Sequence, residues 1–408
     1  MIADWLMNSI AIAAAILALW TLFYSKWFKS NLWRATITPL ASIIGSGFLV
    51  STPLLLLITG KWALGMMVCI ILVAYGLGGS LRFNIQHAEP LVKSTKSAWV
   101  PRIEKLSRPV LGLAYAISIA FYLKLLSAFI MHSISVTNVL YENGLTSLIL
   151  VFIGIVGKLK GLSMLEDLEI YSVNTKLAII FATIIACFLY NGELLIQGQW
   201  IIRATPHDSL WMAFRKVLGM LIIVQGFETS RYLSDAYSRK VRVKTMRYAQ
   251  LISGVIYIAF TALAMVIFNN IEHIDETTII DVCKVVASAL AVLLVIAAIM
   301  SQFSAAIADT VGSAGLLVEA TKQKLSLNNS YIVVVVIALS LVWLTDINEV
   351  ITIASKAFAV YYALQIMITL VTLNSVNSTR TIKGIRIIFY TGLLFLMLLV
   401  IILGVTVE

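Results

Sequence analysis

The sequence predicts an all-α, polytopic membrane protein with about 12 transmembrane helices. Three observations carry that reading. Hydrophobic residues make up 60% of the 408-residue chain and charged residues only 12%, whereas a soluble domain is about one quarter charged. The mean hydropathy is +0.96. The apolar residues fall in runs long enough to cross a bilayer core of about 30 Å, which takes roughly 20 residues of helix. With only 6 prolines and 22 glycines, these runs read as long helices, which satisfy their own backbone in hydrocarbon. The same figures exclude a soluble globular enzyme, a disordered chain, a collagen and a disulfide-stapled module.

Twelve runs qualify: 5–24, 35–58, 62–81, 109–133, 144–158, 168–190, 209–232, 246–269, 282–318, 330–345, 349–373 and 385–406. The first is too long for a signal sequence, lacks a basic leader and has no convincing small-residue cleavage site. It reads as a retained helix. The fifth is short and the ninth long. No soluble domain fits between runs; the longest connection is 82–108. Cys69, Cys187 and Cys283 lie in or at the ends of apolar runs, with no CxxC or Cys/His cluster for zinc.

Basic residues set the orientation. If the N-terminus is outside, the loops on the inner side carry 22 of the 30 Lys and Arg. One outer loop, 269–281, is acidic, with Glu272, Asp275, Glu276 and Asp281. The positive-inside rule then places both termini outside the cytoplasm. It also accounts for the net charge of +10, so no nucleic-acid partner is needed. Trp5, Trp27, Trp33, Trp62 and Trp211 read as interfacial anchors.

Setting aside the first and last runs leaves ten core helices. Core helix 1 reads Pro39 to Phe48 with Gly45-Ser46-Gly47 halfway across, and core helix 6 reads Val224-Gln225-Gly226-Phe227-Glu228-Thr229. The two interruptions are five helices apart, and an odd-numbered repeat unit places its second copy upside down. Matching glycine interruptions in two inverted halves point to a transporter's central site. Unwound backbone in a membrane is tolerable where it lines a cavity or meets a ligand. Half-helix N-termini offer N–H groups to an anion, and freed carbonyls can hold a cation. Close helix packing through Gly45 and Gly47 is the alternative.

These residues resemble a known family. Gly45-Ser46-Gly47-Phe48 resembles the GxG-F break of amino acid–polyamine–organocation (APC) transporters, and Gly226-Phe227-Glu228-Thr229-Ser230 resembles their GFE[ST] break. A basic amphipathic loop follows in that family, like Arg239 to Arg247 here. Asn174-Thr175-Lys176-Leu177 is similar to the start of their core helix 5. Ala297-Ala298-Ile299-Met300-Ser301 is similar to core helix 8 of sodium:solute symporters. The resemblance spans about 35–373 and implies the LeuT-type 5+5 inverted repeat. The implied division is an extra helix at 1–33, a ten-helix core at 34–373 with halves 34–190 and 208–373, and a last helix at 374–408. Two features depart from the family: no proline follows core helix 6, and Ser301-Gln302 stands where sodium-coupled relatives carry two hydroxyl residues.

Ionisable groups inside a membrane are costly, about 2.5–3.5 kcal/mol each on insertion scales, and call for a partner or a task. Five stand out: Lys124, Lys176, Glu228, Asp309 and Lys356. Glu228 at the break can carry a proton, contact an amine or hold loosened backbone. The resemblance implies that Lys176 puts its amine where sodium-coupled relatives bind sodium, so that its deprotonation couples a proton to transport. The competing sodium site would use carbonyls of Ala41, Ile44 and Ala298, the Ser301 hydroxyl and the Gln302 amide oxygen. An ammonium and a sodium ion would repel in one pocket. Asp309 would line the inner pathway or pair with a base, Lys124 would answer a substrate carboxylate or Glu228, and Lys356 would pair with Asp346 or Glu349. Phe227, Tyr115, Tyr122, Tyr361 and Tyr362 are aromatic candidates for occluding a small substrate.

The leading expectation is a secondary active transporter, a symporter or exchanger of a bacterial plasma membrane, moving an amino acid or similar small zwitterion by alternating access with a proton as coupling ion, sodium being the alternative, and no cofactor. The Ser46 and Gly47 N–H groups would take the carboxylate and carbonyls around Gly226 the amine, with Ile44, Gly45, Lys124, Gln225, Phe227 and Glu228 as further substrate-binding residues. A nucleobase, amine or inorganic ion on the same fold is the alternative cargo. No P-loop is present, which excludes direct drive by ATP. A channel is disfavoured by the paired breaks, and a membrane enzyme by the absence of HExxH or a Ser/His/Asp grouping. His87, His132, His207 and His273 are scattered over loops and helix ends.

Overall fold

The computed structural model describes residues 4–26, 28–92, 99–136, 138–160, 162–202, 209–233, 237–268, 278–376 and 379–407. The helices are α1 Asp4–Tyr24, α2 Asn31–Thr59, α3 Ala63–Phe83, α4 Glu89–Val92, α5 Trp99–Ser133, α6 Val139–Lys160 and α7 Leu162–Ile196. There follow α8 Leu210–Gly219, α9 Arg239–Ile267, α10 Thr278–Val286, α11 Ser288–Ala320, α12 Leu327–Leu344, α13 Ile347–Leu373 and α14 Arg380–Leu403. A 3-10 turn Gly60–Trp62 leads into α3, and a π turn Asn84–Ala88 joins α3 to α4. No strand occurs among the described residues. Among the described residues ten helical stretches are long and apolar enough to cross a membrane, one of which, 31–91, holds both α2 and α3.

Every predicted run is helical, with three differences of detail. The long ninth run is two helices, α10 and α11, meeting at Ala287, whose extended backbone (φ −161°, ψ 131°) starts α11. The seventh run is α8 followed by two 3-10 segments, Leu221–Val224 and Phe227–Tyr232. The basic segment from Arg239 is not a loop: it is the first turns of α9, begun by an extended Ser238. Serine caps start several helices by accepting a backbone N–H: Ser30 from Trp33, Ser209 from Met212 and Ser326 from Asn329.

Helix α5 is the axis of the bundle, buried along almost all of Leu111–Phe129. It packs against α11 and α13. With α2, α3, α5, α6 and α7 as core helices 1 to 5, and the broken segment, α9, α11, α12 and α13 as 6 to 10, helices five places apart have matching neighbours. The α5–α13 contact corresponds to α11–α7, α7–α9 to α13–α3, and α11–α12 to α5–α6. The α2–α9 contact corresponds to that of α3 with the two 3-10 segments.

Helix α1 is latched to the start of α11. The first N–H groups of a helix have no partner within it. Here Asp4 Oδ1 accepts from Ser288 N (3.4 Å) and Asn8 Oδ1 from Ala289 N (2.9 Å). At the other terminus, Arg215 of α8 donates to the Leu403 carbonyl (3.1 Å), and Val405 N donates back to the Arg215 carbonyl (3.2 Å). Trp5, Trp62 and Trp211 are exposed as interfacial anchors should be, but Trp33 is buried against Phe28 (ring centroids 4.7 Å). Trp27 lies outside the described residues.

The cap supplied by α1 has a measurable consequence. Asn8→Ala is expected to cost about 1 kcal/mol of stability in detergent, the usual price of a lost cap. Ser9→Ala, which removes only a bond to the Trp5 carbonyl of its own helix, is expected to be silent. Equal effects would refute the cap.

Candidate functional site

The break in core helix 6 is real. Gly226 has φ +117°, a left-handed conformation that glycine adopts without penalty. A Cβ there would stand 2.6 Å from the Ser42 backbone carbon of α2. Two carbonyls beside the break, Ile43 (3.0 Å) and Ile223 (2.9 Å), face the hydroxyl of Tyr257 on α9. Gly226 N donates to Glu228 Oε2 (3.0 Å), and the Tyr362 hydroxyl donates to the same oxygen (2.8 Å).

The break expected in core helix 1 is not formed. Helix α2 runs unbroken from Asn31 to Thr59 through Gly45, Ser46 and Gly47. These glycines serve close packing instead. A Cβ on Gly45 would lie 2.7 Å from Ala305 Cβ of α11, and one on Gly47 would lie 2.7 Å from Ile223 Cα beside the break. The N–H groups of residues 45–47 therefore belong to the helix, and the anion cradle predicted for a substrate carboxylate is absent.

The centre of the bundle brings together groups from four helices. Gln225 Nε2 donates to the Tyr122 hydroxyl (2.7 Å). Ser118 of α5 donates to Asp309 Oδ2 of α11. Phe227 stacks on Tyr362 (5.4 Å), and Tyr361 and Phe358 flank the stack. All five predicted aromatic residues are buried here. Glu228, Asp309, Tyr115 and Tyr122 lie close enough to interact electrostatically. Glu228 Oε1, Asp309 Oδ1, Gln225 Oε1 and the Tyr115 hydroxyl make no hydrogen bond here, and neither does Gln302 Oε1, two turns before Asp309 on α11. Asp309 has no basic partner among the described residues; Ser118 takes that place.

Lys176 of α7 is fully buried. Its Nζ donates to the Ala41 carbonyl (2.8 Å) and stands 3.5 Å from Ser301 Oγ. Ser301 in turn donates to the Ile44 carbonyl (3.2 Å). A carbonyl has two lone pairs, so Ala41 and Ile44 can accept these bonds while remaining in helix α2. Ala298 is buried one turn before Gln302. The lysine thus shares one cluster with three oxygens of the competing sodium site, the Ala41 and Ile44 carbonyls and the Ser301 hydroxyl.

Two predicted roles are corrected. Lys124 does not face Glu228 or the centre. Its Nζ donates to the carbonyls of Val342 (3.0 Å) and Thr345 at the end of α12, where unpaired carbonyls and the helix dipole favour a cation. Lys356 does not pair with Asp346 or Glu349. Those carboxylates close a capping box at the start of α13, with Glu349 N to Asp346 Oδ1 at 2.7 Å and Asp346 N to Glu349 Oε2 at 3.2 Å.

Sequence reasoning missed a polar seal between the centre and the basic end of the bundle. Arg231, at the end of the broken segment, pairs with Glu104 of α5 (2.9 Å) and bonds Gln365 of α13. Arg108 joins Glu104 (3.5 Å) to Glu319 of α11 (2.7 Å). Arg242 of α9 grips both oxygens of Glu89 (2.8 and 2.7 Å) and the Arg231 carbonyl (2.8 Å). The signal was present: Arg231 follows the break by five residues, too near it to be a free loop charge.

Two predictions follow from this geometry. Gly226→Ala is expected to destabilise the protein far more than Gly198→Ala. Gly198 also has a positive φ (+68°) but open space around it, so its variant should lose only about 1–2 kcal/mol; equal losses would mean that contact with Ser42 is irrelevant. Glu104→Gln leaves Arg231 buried without its counter-charge and is expected to cost about 3–5 kcal/mol. Glu319→Gln, on a half-exposed partner, should cost below about 1 kcal/mol. Chemical unfolding in detergent reads both pairs.

Comparisons with known proteins agree with this architecture. A family model of APC superfamily transporters matches residues 25–404. An uncharacterized protein of Aquifex aeolicus (strain VF5) is 42% identical over 358 residues, covering 86% of this chain and 87% of its own. Crystal structures of a manganese transporter of Eremococcus coleocola share the fold at 14% identity. One, in complex with an aromatic bis-isothiourea substituted compound, has a TM-score of 0.57, and a mutant has 0.56; each comparison covers 92% of this chain and 87% of that one. The chain is an integral membrane protein and belongs to the APC superfamily of transporters.

Proposed function

We propose that the protein is a proton-coupled secondary carrier of a small amine-bearing solute, an amino acid or an organic amine. The observation that carries the cargo is the layer of oxygens at the break. Glu228, Asp309 and Gln225 each present one acceptor without a donor, and a protonated amine brings up to three N–H donors. The unbroken α2 offers no matching cradle for a carboxylate, so the amine end of the solute is the part recognised here.

The position of Lys176 supports protons over sodium. Its ammonium meets the Ala41 carbonyl and the Ser301 hydroxyl, the ligands a sodium ion would need. Loss of its proton leaves those oxygens without a cation and loosens α7 from α2 and α11. The contacts repeated at five-helix intervals support two inverted halves, with the broken segment and α2 moving against α5, α6, α11 and α12. The seal through Arg231 and Glu104 supports a state closed at the basic end. That end faces the cytoplasm under the positive-inside rule, with both termini outside a bacterial plasma membrane.

An inorganic divalent cation is a second reading, favoured by the all-oxygen character of the layer, with two carboxylates and an amide. The fold likeness to a manganese transporter makes manganese the ion to include in the test.

Proteoliposomes decide between these readings. Amino acids, simple amines and manganese are tested for exchange of labelled against unlabelled solute, with imposed pH or sodium gradients. Amine exchange accelerated by an inward proton gradient and indifferent to sodium is the expected result. Lys176→Ala is expected to abolish the response to the proton gradient. Sodium-driven uptake by the wild type, or an unchanged proton response in the variant, would reject the coupling; exchange of manganese alone would replace the cargo.

A further inference from the structure

We propose that a cleft between α2 and α9, near the basic end of the bundle, binds an anionic phospholipid, with an acyl chain between the helices and the phosphate against Lys244. The proposal does not depend on the cargo or the coupling ion. The cleft has a volume of about 360 Å³ and is lined by Leu32, Trp33 and Thr36 of α2 and by Lys244, Tyr248 and Ile252 of α9. Ligand pockets run from about 300 to 1,000 Å³. The lining residues are two facing stripes: Leu32 and Thr36 are one turn apart, and Lys244, Tyr248 and Ile252 follow at successive turns. At 1.5 Å per residue the α9 stripe is about 12 Å long, so it enters the hydrocarbon from the headgroup level.

Chemistry changes along the stripe. On α9 its deep part is Ile252, two turns inward of Lys244; Leu32 and the Trp33 ring, in the first turn of α2, add apolar surface beside the mouth. Its shallow part is Tyr248 and Lys244, whose Nζ lies 5.6 Å from the Tyr248 ring centroid. Lys244 is exposed, and among the described residues no carboxylate pairs with it. Arg247 on the same face of α9 and Arg34 at the start of α2 are also exposed, so the mouth carries uncompensated positive charge. An apolar trough ending in cations at the membrane surface complements an acyl chain ending in a phosphate. A soluble anion would leave the trough empty, and a zwitterionic lipid would not answer the net charge at the mouth.

Occupancy of the cleft bears on the transport core. Helix α2 carries the Ala41 and Ile44 carbonyls that meet Lys176 and Ser301, and α9 carries the Tyr257 hydroxyl that faces Ile43 and Ile223. A chain wedged between the two helices holds their spacing.

The test uses the full-length protein, delipidated in neutral detergent and titrated with phosphatidylglycerol, phosphatidylcholine or inorganic phosphate. Bound lipid is counted by native mass spectrometry and protection by thermal shift. Phosphatidylglycerol is expected to bind and stabilise, phosphatidylcholine to do so much more weakly, and phosphate to have no effect. Lys244→Ala is expected to weaken apparent phosphatidylglycerol affinity about five-fold, the share of one basic residue at a membrane surface. Ile252→Trp, which fills the trough and leaves every charge in place, is expected to abolish binding. Arg380→Ala, an exposed base on α14, should change nothing. Equal binding of the two lipids, protection by phosphate alone, equal effects of Lys244→Ala and Arg380→Ala, or full binding by Ile252→Trp would each overturn the assignment.

Discussion

The carboxylate of Glu228 accepting the N–H of Gly226 is the bond on which the centre of this protein depends. Opening a helix inside a bilayer leaves backbone donors with no water to meet, and each such group costs several kcal/mol. The chain answers from two residues away: Glu228 Oε2 takes the freed N–H and the Tyr362 hydroxyl as well. Its other oxygen is left without a donor. One side chain therefore both stabilises the break and faces the layer of acceptors. The structural role of Glu228 does not exclude the proposed ligand role, because the two would use different oxygens of one carboxylate.

Polar bonding outside that layer is divided between the two ends. Towards the basic end, Arg231, Glu104, Arg108, Gln365 and Asn84 tie the broken segment, α5, α13 and the end of α3 together. Towards the other end, Lys124 closes α5 onto α12 and His132 meets Asp281 (3.3 Å). A carrier must open one end at a time, and hydrogen bonds suit such closures. They are directional, they fix one register, and water entering the opened path replaces them. Apolar packing of similar extent would hold each end shut without that exchange. Buried ion pairs add little net stability over apolar contacts, so their value here is in being separable.

The spans were legible because hydropathy is a local property: each helix declares itself in about 20 residues. The break at Gly226 was legible for the same reason, as glycine, glutamine and glutamate stood together in an apolar run. The reading of Gly45 and Gly47 failed because GxG permits either unwinding or close approach. The choice rests on Ala305 and Ile223, which lie far along the chain. Lys124 failed likewise, since its acceptors lie more than 200 residues away. Trp33 looked like an interfacial anchor from its place at a helix start, yet Phe28 covers it. The seal at the basic end was hidden by a habit of treating loop-border charges as solvated; Arg231, Arg242 and Glu104 are all buried.

The difference between the two halves has a chemical meaning. In the first half the helix is closed, and its carbonyls accept from cations and hydroxyls of the protein itself: Lys176 on Ala41 and Ser301 on Ile44. In the second half the helix is open, and the acceptors it gathers remain unfilled. The first half carries its own cation and the second lacks one. On the proposed function, a protonated lysine beside α2 and a donor-bearing guest beside Gly226 answer the same need at positions related by the five-helix correspondence of contacts. On the proposed coupling, release of the proton from Lys176 would take the positive charge from beside α2, leaving a neutral amine with two N–H donors, and departure of a cationic guest would do the same beside Gly226. That gives the two sites a common electrostatic cause for moving together, without any direct contact between them.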